Sequence, residues 1–480
     1  MSLSNKTFTL LASSLLAACA VSPDYQRPAT TSATIYGEES LSNLQQHDGE
    51  QRLIAGQNPA ADWWTQFNSD ALNATMQQAF AGNRSLAAAQ ASLAQAREAV
   101  SASSGALYPQ VNLDAGAGRQ KYGAQFSGPN EEPAFNYYSV GPSVRYIFDY
   151  TGGQHRAVEQ QQALAESQAY QLQAAQLSLS GNVAQQALLI ASTRAQIATL
   201  ESLLVEDQKN VTLVQSAFDA GSVSRVDVLA AQSQLANDQT LLPPLRQQLS
   251  VARHALSVLV GHAPADWVPP DFELADLQLP ASLPLSLPSE LAHRRPDILA
   301  AESRLHAATA GAGVATSRLY PQINLTASVS QQSTSLSHLF DGDSLAWGFA
   351  GGLTAPLFDG GSLRAQERAA KNAQQAAFAQ YQQVVLQSFG QVADVLAALD
   401  HDAELLAAQR NALDTSEANL KLTRESYAAG NVGVLQVLDA ERLSQQARLG
   451  YVRAQAQRYQ DTSQLFVALG GASVPVTASR

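Results

Sequence analysis

Cysteine is almost missing from this chain: there is one in 480 residues, Cys19. Neither a disulfide framework nor a cysteine-based zinc site can be built from a single thiol. Charge is scarce too, at 15% of residues, and 29 Lys and Arg face 41 Asp and Glu for a net charge of −12. Binding a phosphate backbone needs a basic face, so a nucleic-acid partner is excluded. Beyond the N-terminus no run approaches about 18 consecutive apolar residues, so no ordinary transmembrane helix is expected. The eight histidines are scattered, and the sequence has no His-Glu-x-x-His, no glycine-rich phosphate loop before Lys-Ser/Thr and no nucleophile elbow. Enzymatic, metal and cofactor chemistry therefore have no motif to rest on.

What is present begins at the N-terminus. Residues 1–18 combine a polar start at Lys6, an apolar stretch from Phe8 to Leu16 and small residues before Cys19, the layout of a cleaved secretory signal. Leu16-Ala17-Ala18-Cys19 also resembles a bacterial lipobox, which makes Cys19 the expected lipidation site. Each buried methylene of an acyl chain adds about 0.8 kcal/mol of membrane affinity. Ala20, in a place where Asp marks inner-membrane retention in similar lipoproteins, favours the outer membrane.

The chain then repeats itself. Leu107-Tyr108-Pro109-Gln110-Val111-Asn112-Leu113 returns as Leu319-Tyr320-Pro321-Gln322-Ile323-Asn324-Leu325. Phe148-Asp149 before Gly152-Gly153 returns as Phe358-Asp359-Gly360-Gly361, and Ala220-Gly221-Ser222-Val223 as Ala429-Gly430-Asn431-Val432. Order and spacing are kept, so the chain is a tandem duplication. The expected organisation is a signal at 1–18, a lipidated extended segment at 19–69, a first repeat at 70–262, a proline-rich linker at 263–288, a second repeat at 289–470 and a tail at 471–480.

Within each repeat two regimes alternate. Proline is absent from Gly153 to Ala220 and from Ser362 to Ala429, where Ala and Gln dominate. Apolar residues step by seven through Val183, Ile190, Ile197, Leu204 and Val211, and through Val385, Val392, Leu399, Leu406, Leu413 and Leu420. That period marks supercoiled helices, and about 65 residues at 1.5 Å each make a rod of about 100 Å. Each rod stops at Gly221 or Gly430 and a return helix follows, giving helical hairpins over 153–260 and 362–469. Pro243-Pro244 predicts a break in the first return helix only.

The second regime alternates with period two. Val111, Leu113, Ala115 and Ala117, then Tyr138, Val140, Pro142, Val144, Tyr146 and Phe148, predict a β-hairpin over 111–149. Ile323, Leu325, Ala327 and Val329, then Leu345, Trp347, Phe349, Leu353 and Leu357, predict another over 323–359. Runs of about ten residues span a bilayer when tilted, and Tyr108, Tyr138, Tyr320 and Trp347 stand where an aromatic girdle belongs. A soluble sheet with one buried face gives the same alternation. The attached rods and the anchor favour the membrane, where no sheet edge stays open and about eight strands are the usual minimum for closure. Four strands require a barrel shared between chains, and two, three or four chains satisfy the sequence equally.

These pieces together resemble the TolC-type outer-membrane factors, most closely the NodT lipoprotein subgroup. The resemblance is carried by Pro23-Asp24-Tyr25-Gln26-Arg27-Pro28, Trp63-Trp64 with Phe67 and Leu72, Leu242-Pro243-Pro244-Leu245-Arg246, Ala252-Arg253-His254-Ala255-Leu256, Arg294-Arg295-Pro296-Asp297-Ile298, both Tyr-Pro-Gln motifs and Val437-Leu438-Asp439-Ala440. They cover nearly the whole mature chain. The resemblance implies a mainly α fold with a membrane β-barrel. In it a homotrimer closes one 12-strand barrel in outer-membrane lipid above a periplasmic coiled-coil tunnel. It further implies a passive exit duct for drugs or other toxic compounds, without cofactor. A periplasmic adaptor and an inner-membrane pump, commonly of the resistance-nodulation-division type, would be its partners.

The resemblance also points to the hairpin ends as a gate. Asp227 and Asp439 match acidic positions after the glycine turns, Gln436 stands where another member has a carboxylate, and Tyr427, with Phe218 in the first repeat, matches an aperture aromatic. Three chains would bring six carboxylates to one opening, a constriction sensitive to pH and cations. Asp227 lies three residues after Ser224, so it suits a helix cap as well as a pore. Ala428 stands where some relatives have an Arg that closes an ion pair. Gly221, Ser222 and Val223, with Gly430, Asn431, Val432 and Gly433, are the candidate adaptor contacts, and the same glycines suit plain helix-to-helix turns. The rival reading is an adaptor-type coiled-coil lipoprotein, which usually has one hairpin framed by small β domains.

Overall fold

A computed structural model describes residues 24–29, 35–36, 51–122 and 133–471. Cys19 and the signal segment lie outside the described residues. In chain order come β1 (Arg52–Ala55), α1 (Asp70–Gly82), α2 (Arg84–Gly105), β2 (Gln110–Gln120), β3 (Phe135–Phe148), α3 (Gly153–Asp219), α4 (Arg225–Gln239) and α5 (Leu242–Val260). They are followed by β4 (Ser282–Leu285), α6 (Pro296–Ser317), β5 (Gln322–Ser333), β6 (Leu345–Thr354), α7 (Ser362–Ala428) and α8 (Val434–Ala468). The sequence helix, two strands, long helix, return helix thus occurs twice.

The two long helices each have 67 residues, or about 100 Å at 1.5 Å per residue. Their seven-residue stripes are buried or half-buried at every position, fully at Val183, Ile190, Val392 and Leu399. An 18-residue window of α3 reaches a mean hydropathy of 1.3, enough by length and composition for a membrane helix. Of that window 44% is buried, and in the same helix Val183, Ala187, Leu188, Ile190 and Ala191 are no more than 2% exposed. The break in the first return helix falls at Thr240 and Leu241, and Pro243 and Pro244 sit in the opening turn of α5, where a missing N–H costs nothing. The second return helix, α8, runs 35 residues without interruption.

The chain divides into two compact units. The first, with Ser92–Gln168 and Ala300–Gln382, holds an antiparallel sheet of order β2-β3-β5-β6. Gly141 and Pro142 interrupt the β3–β5 ladder, which pairs Val140 with Gln331 and resumes at Ser143 with Ser328. Proline has no N–H to give there, and a Cβ on Gly141 would meet the Val329 carbonyl oxygen at 2.0 Å. The last strand ends at Thr354, before Leu357. Edge residues Val111 and Leu113 on β2 are 67% and 76% exposed, and Trp347 and Phe349 on β6 are 78% and 71% exposed. In the same unit the N-terminal motif is strapped down. Tyr25 stacks on His306 at 4.3 Å, Arg27 meets Glu302 at 2.7 Å and Asp24 meets Arg156 at 2.5 Å.

The second unit comprises the described parts of Ala29–Ala91, Ala169–Leu299 and Gln383–Arg480. At its centre Trp63 stacks on Phe466 at 5.4 Å, both 0% exposed, among Phe67, Leu72, Met76 and Leu256. Two segments expected to be merely extended contribute a small sheet here: β1 pairs in parallel with β4, Arg52 opposite Ser282 to Ala55 opposite Leu285. The linker is therefore structured. Buried Arg458 donates to Gln51 at 2.7 Å and to the Leu399 carbonyl, and Gln51 donates to the Pro280 carbonyl at 3.1 Å. Arg295, from the Arg294-Arg295-Pro296-Asp297 motif, donates to the Ala468 carbonyl at 2.9 Å and to Gln391 at 2.8 Å. It thereby satisfies an orphan carbonyl at the end of α8.

Candidate gate at the hairpin ends

Both long helices stop in the same way. The Gly221 N–H donates to Phe218 O at 2.8 Å and the Ser222 N–H to Ala217 O at 2.8 Å; the Gly430 N–H donates to Tyr427 O and the Asn431 N–H to Ser426 O, each at 2.9 Å. This Schellman pairing needs a left-handed residue, and Gly221 and Gly430 have φ of +74° and +77°. Among the candidate adaptor contacts, Gly221, Ser222, Gly430, Asn431 and Gly433 are exposed, while Val223 and Val432 are half-buried.

Behind the turns lies a small apolar cluster of Val214, Val228, Ala231 and Val434, with Val211, Phe218, Val223, Tyr427 and Leu438 packed against it. Four helices contribute to it, so it fastens the two hairpins together near their ends. Phe218 and Tyr427 are thus packing residues of this cluster, and Arg225 places its guanidinium 5.9 Å from the Phe218 ring centre, a cation–π contact.

The carboxylates divide by partner. Asp227 completes a capping box with Ser224, accepting from the Ser224 N–H and hydroxyl at 2.8 Å each. The Ser224 hydroxyl first and its backbone N–H second hold the Asp227 carboxyl below the usual carboxylate range. Asp439 lies on the exposed side of α8 and pairs with Arg442 one turn on, at 2.8 Å. Gln436 is exposed in the first turn of that helix. No hydrogen bond or ion pair among the described residues joins Asp227, Asp439 and Gln436 to one another.

Two groups of residues that the sequence reading did not single out stand nearby. Glu441 on α8, 3% exposed, accepts from Arg424 on α7 at 2.7 Å and from Asn210 on α3. Arg424 also faces Glu206 at 3.7 Å. This cross-brace joins three helices without using position 428, where this chain has Ala and some relatives have an Arg. The second group is the pair Asp207 on α3 and Asp238 on α4, 4% and 9% exposed, with Gln234 donating to Asp238 at 2.7 Å.

A sheet with exposed apolar edges, carried on a chain otherwise made of two long helical hairpins, defines a class: the TolC-like outer-membrane channel subunits. Residues 75–262 and 287–471 match the family described as outer membrane efflux protein. The chain belongs to that family. Outer membrane protein OprJ of Pseudomonas aeruginosa is 31% identical over 473 residues, 96% of this chain and 95% of that protein. The probable efflux pump outer membrane protein SepC of Pseudomonas putida is 30% identical over 475 residues, 96% of this chain and 97% of its own length. The solved structure of the outer-membrane channel OprN aligns with a TM-score of 0.86 at 28% identity, covering 95% of this chain and 99% of that one. The protein is an outer-membrane efflux channel.

Proposed function

We propose that three copies of this chain close a 12-strand barrel and that the resulting tube is a passive exit duct, with neither catalysis nor cofactor. It carries small toxic molecules delivered by an inner-membrane pump, of the resistance-nodulation-division type, through a periplasmic adaptor. The observation that carries this reading is the sheet: four bilayer-length strands with both edge strands unpaired among the described residues and apolar side chains outward. Such edges are stable in lipid only when other copies complete them. An adaptor-type lipoprotein has no use for them.

In this reading Cys19 carries a lipid and holds the N-terminus to the outer membrane. The adaptor docks on Gly221, Ser222 and Val223 and on Gly430, Asn431, Val432 and Gly433. Asp227, Asp439 and Gln436 border the opening, and Phe218 and Tyr427 set how far the hairpin ends part. Electron microscopy of the detergent-solubilised protein tests the assembly: a three-fold tube longer than about 100 Å is expected from the helix lengths, and a single-chain particle overturns it.

A further inference from the structure

We propose that Asp207 keeps a proton against Asp238, and that this proton controls how tightly the free end of the first hairpin stays closed. Its bearing on passage rests on the gate reading above; the exchange behaviour does not.

Two carboxyl groups on different helices, 4% and 9% exposed, lie within reach of each other inside the protein. Two carboxylates facing each other there have no hydrogen to share, so the contact is favourable only while one of them carries a proton. The other Asp207 oxygen, Oδ2, is buried and has no hydrogen-bond partner. Among the described residues no cation acts on Asp207 directly. The groups that face Asp207 from the neighbouring helices are Asp238 and Glu441, with Glu206 on its own helix. Arg424 is committed to Glu441 and Glu206, and Lys209 to Glu206 at 2.9 Å. Removing the proton therefore leaves adjacent negative charges in a poorly hydrated junction. Burial first, then the bond to Asp238 and the charges of Asp238, Glu441 and Glu206, push the Asp207 carboxyl up to about 7.

The position of the pair gives the proton something to move. Asp238 is the next-to-last residue of α4, a helix of only 15 residues set between the Gly221 turn and the break at Thr240 and Leu241. The carboxyl pair therefore pins the far end of this short helix to α3. The uninterrupted α8 of the second hairpin has no equivalent break.

The direction follows from linkage. The closed junction holds a proton that the opened one releases, so closure is favoured at lower pH and weakens as pH rises through about 7. Hydrogen exchange of the full-length protein in detergent, corrected for the intrinsic pH dependence of amide exchange, reads this directly. Protection of the amides of α4 is expected to fall about tenfold between pH 6 and pH 8, the ratio that one raised carboxyl pKa gives. Peptides from α8 and from the four-stranded sheet should not follow. Asp207→Asn keeps a hydrogen-bond donor and removes the titration, so its profile should be flat. Asp238→Asn should be flat as well and serves if the first variant folds poorly. Asp227→Asn should retain the wild-type step, which separates this device from the gate carboxylates. A flat wild-type profile, a step that survives Asp207→Asn or one abolished by Asp227→Asn overturns the proposal.

Discussion

Replacing Arg424 by Met tests whether the cross-brace holds the hairpin ends. Glu441 is nearly buried, and Arg424 supplies two of its hydrogen bonds, from Nε at 3.2 Å and Nη2 at 2.7 Å. Without them the carboxylate keeps only Asn210. Stripping one partner from a fully buried ion pair costs about 3–5 kcal/mol. The Arg424 side chain is 48% exposed, so water replaces part of what is lost and about 2 kcal/mol is a fair expectation. At 1.4 kcal/mol per factor of ten, the opening of the hairpin ends rises about 30-fold. Hydrogen exchange across α7 and α8 measures the opening, and bilayer recordings should show longer or larger open events. The double variant Arg424→Met with Glu441→Leu should recover most of the loss, because the buried charge leaves with its partner. Single-variant behaviour equal to wild type, or a double variant no better than the single one, would refute the reasoning.

Gly430→Ala should weaken the second hairpin end by about 1–2 kcal/mol, since a side chain at φ +77° is strained, although no atom lies within 4 Å of the new Cβ; local exchange at the turn checks this. Phe466→Ala should cost about 3–5 kcal/mol by emptying the space against Trp63 and lower the thermal midpoint of the protein in detergent. The Asp227 carboxyl is held below its ordinary range, so its contribution to the first turn of α4 is present at neutral pH and lost as pH falls below the carboxylate range. Exchange at Arg225–Val228 should rise in acid in the wild type and already at pH 7 in Asp227→Asn. Cys19→Ala should abolish incorporation of labelled fatty acid while leaving the strands inserted; label retained in that variant excludes Cys19 as the anchor.

Most of the architecture is written in periods. The seven-residue stripe, the glycine stops and the alternating runs locate both helical hairpins and all four long strands, because each follows from local geometry repeated over many residues. The β1–β4 pair is invisible to that approach. Arg52-Leu53-Ile54-Ala55 and Ser282-Leu283-Pro284-Leu285 are too short to show alternation, and the second contains a proline. The candidate gate is legible only in part. Phe218, Tyr427 and the turns stand out by comparing the repeats, whereas the buried charges read as solvated helix faces. One signal for them does exist. Asp207 stands midway between Leu200 and Val214, seven residues from each and on the same stripe, and both neighbours are at most 1% exposed. Glu441 follows Val434 by seven, and Asp238 follows Ala231 by seven. A charge on a heptad seam has to find a partner or a proton inside the protein.

The unpaired edges of the four-stranded sheet have a genetic consequence. If every barrel needs β2 of one copy against β6 of the next, a copy with a spoiled edge is harmful in company as well as alone. A proline in the middle of β6 leaves the helical hairpins intact, so such a chain still joins its neighbours and breaks the ring. With both versions made equally and three seats per ring, about one assembly in eight escapes. Loss-of-function alleles in these strands should therefore be dominant, and those that prevent the chain from being made should be recessive.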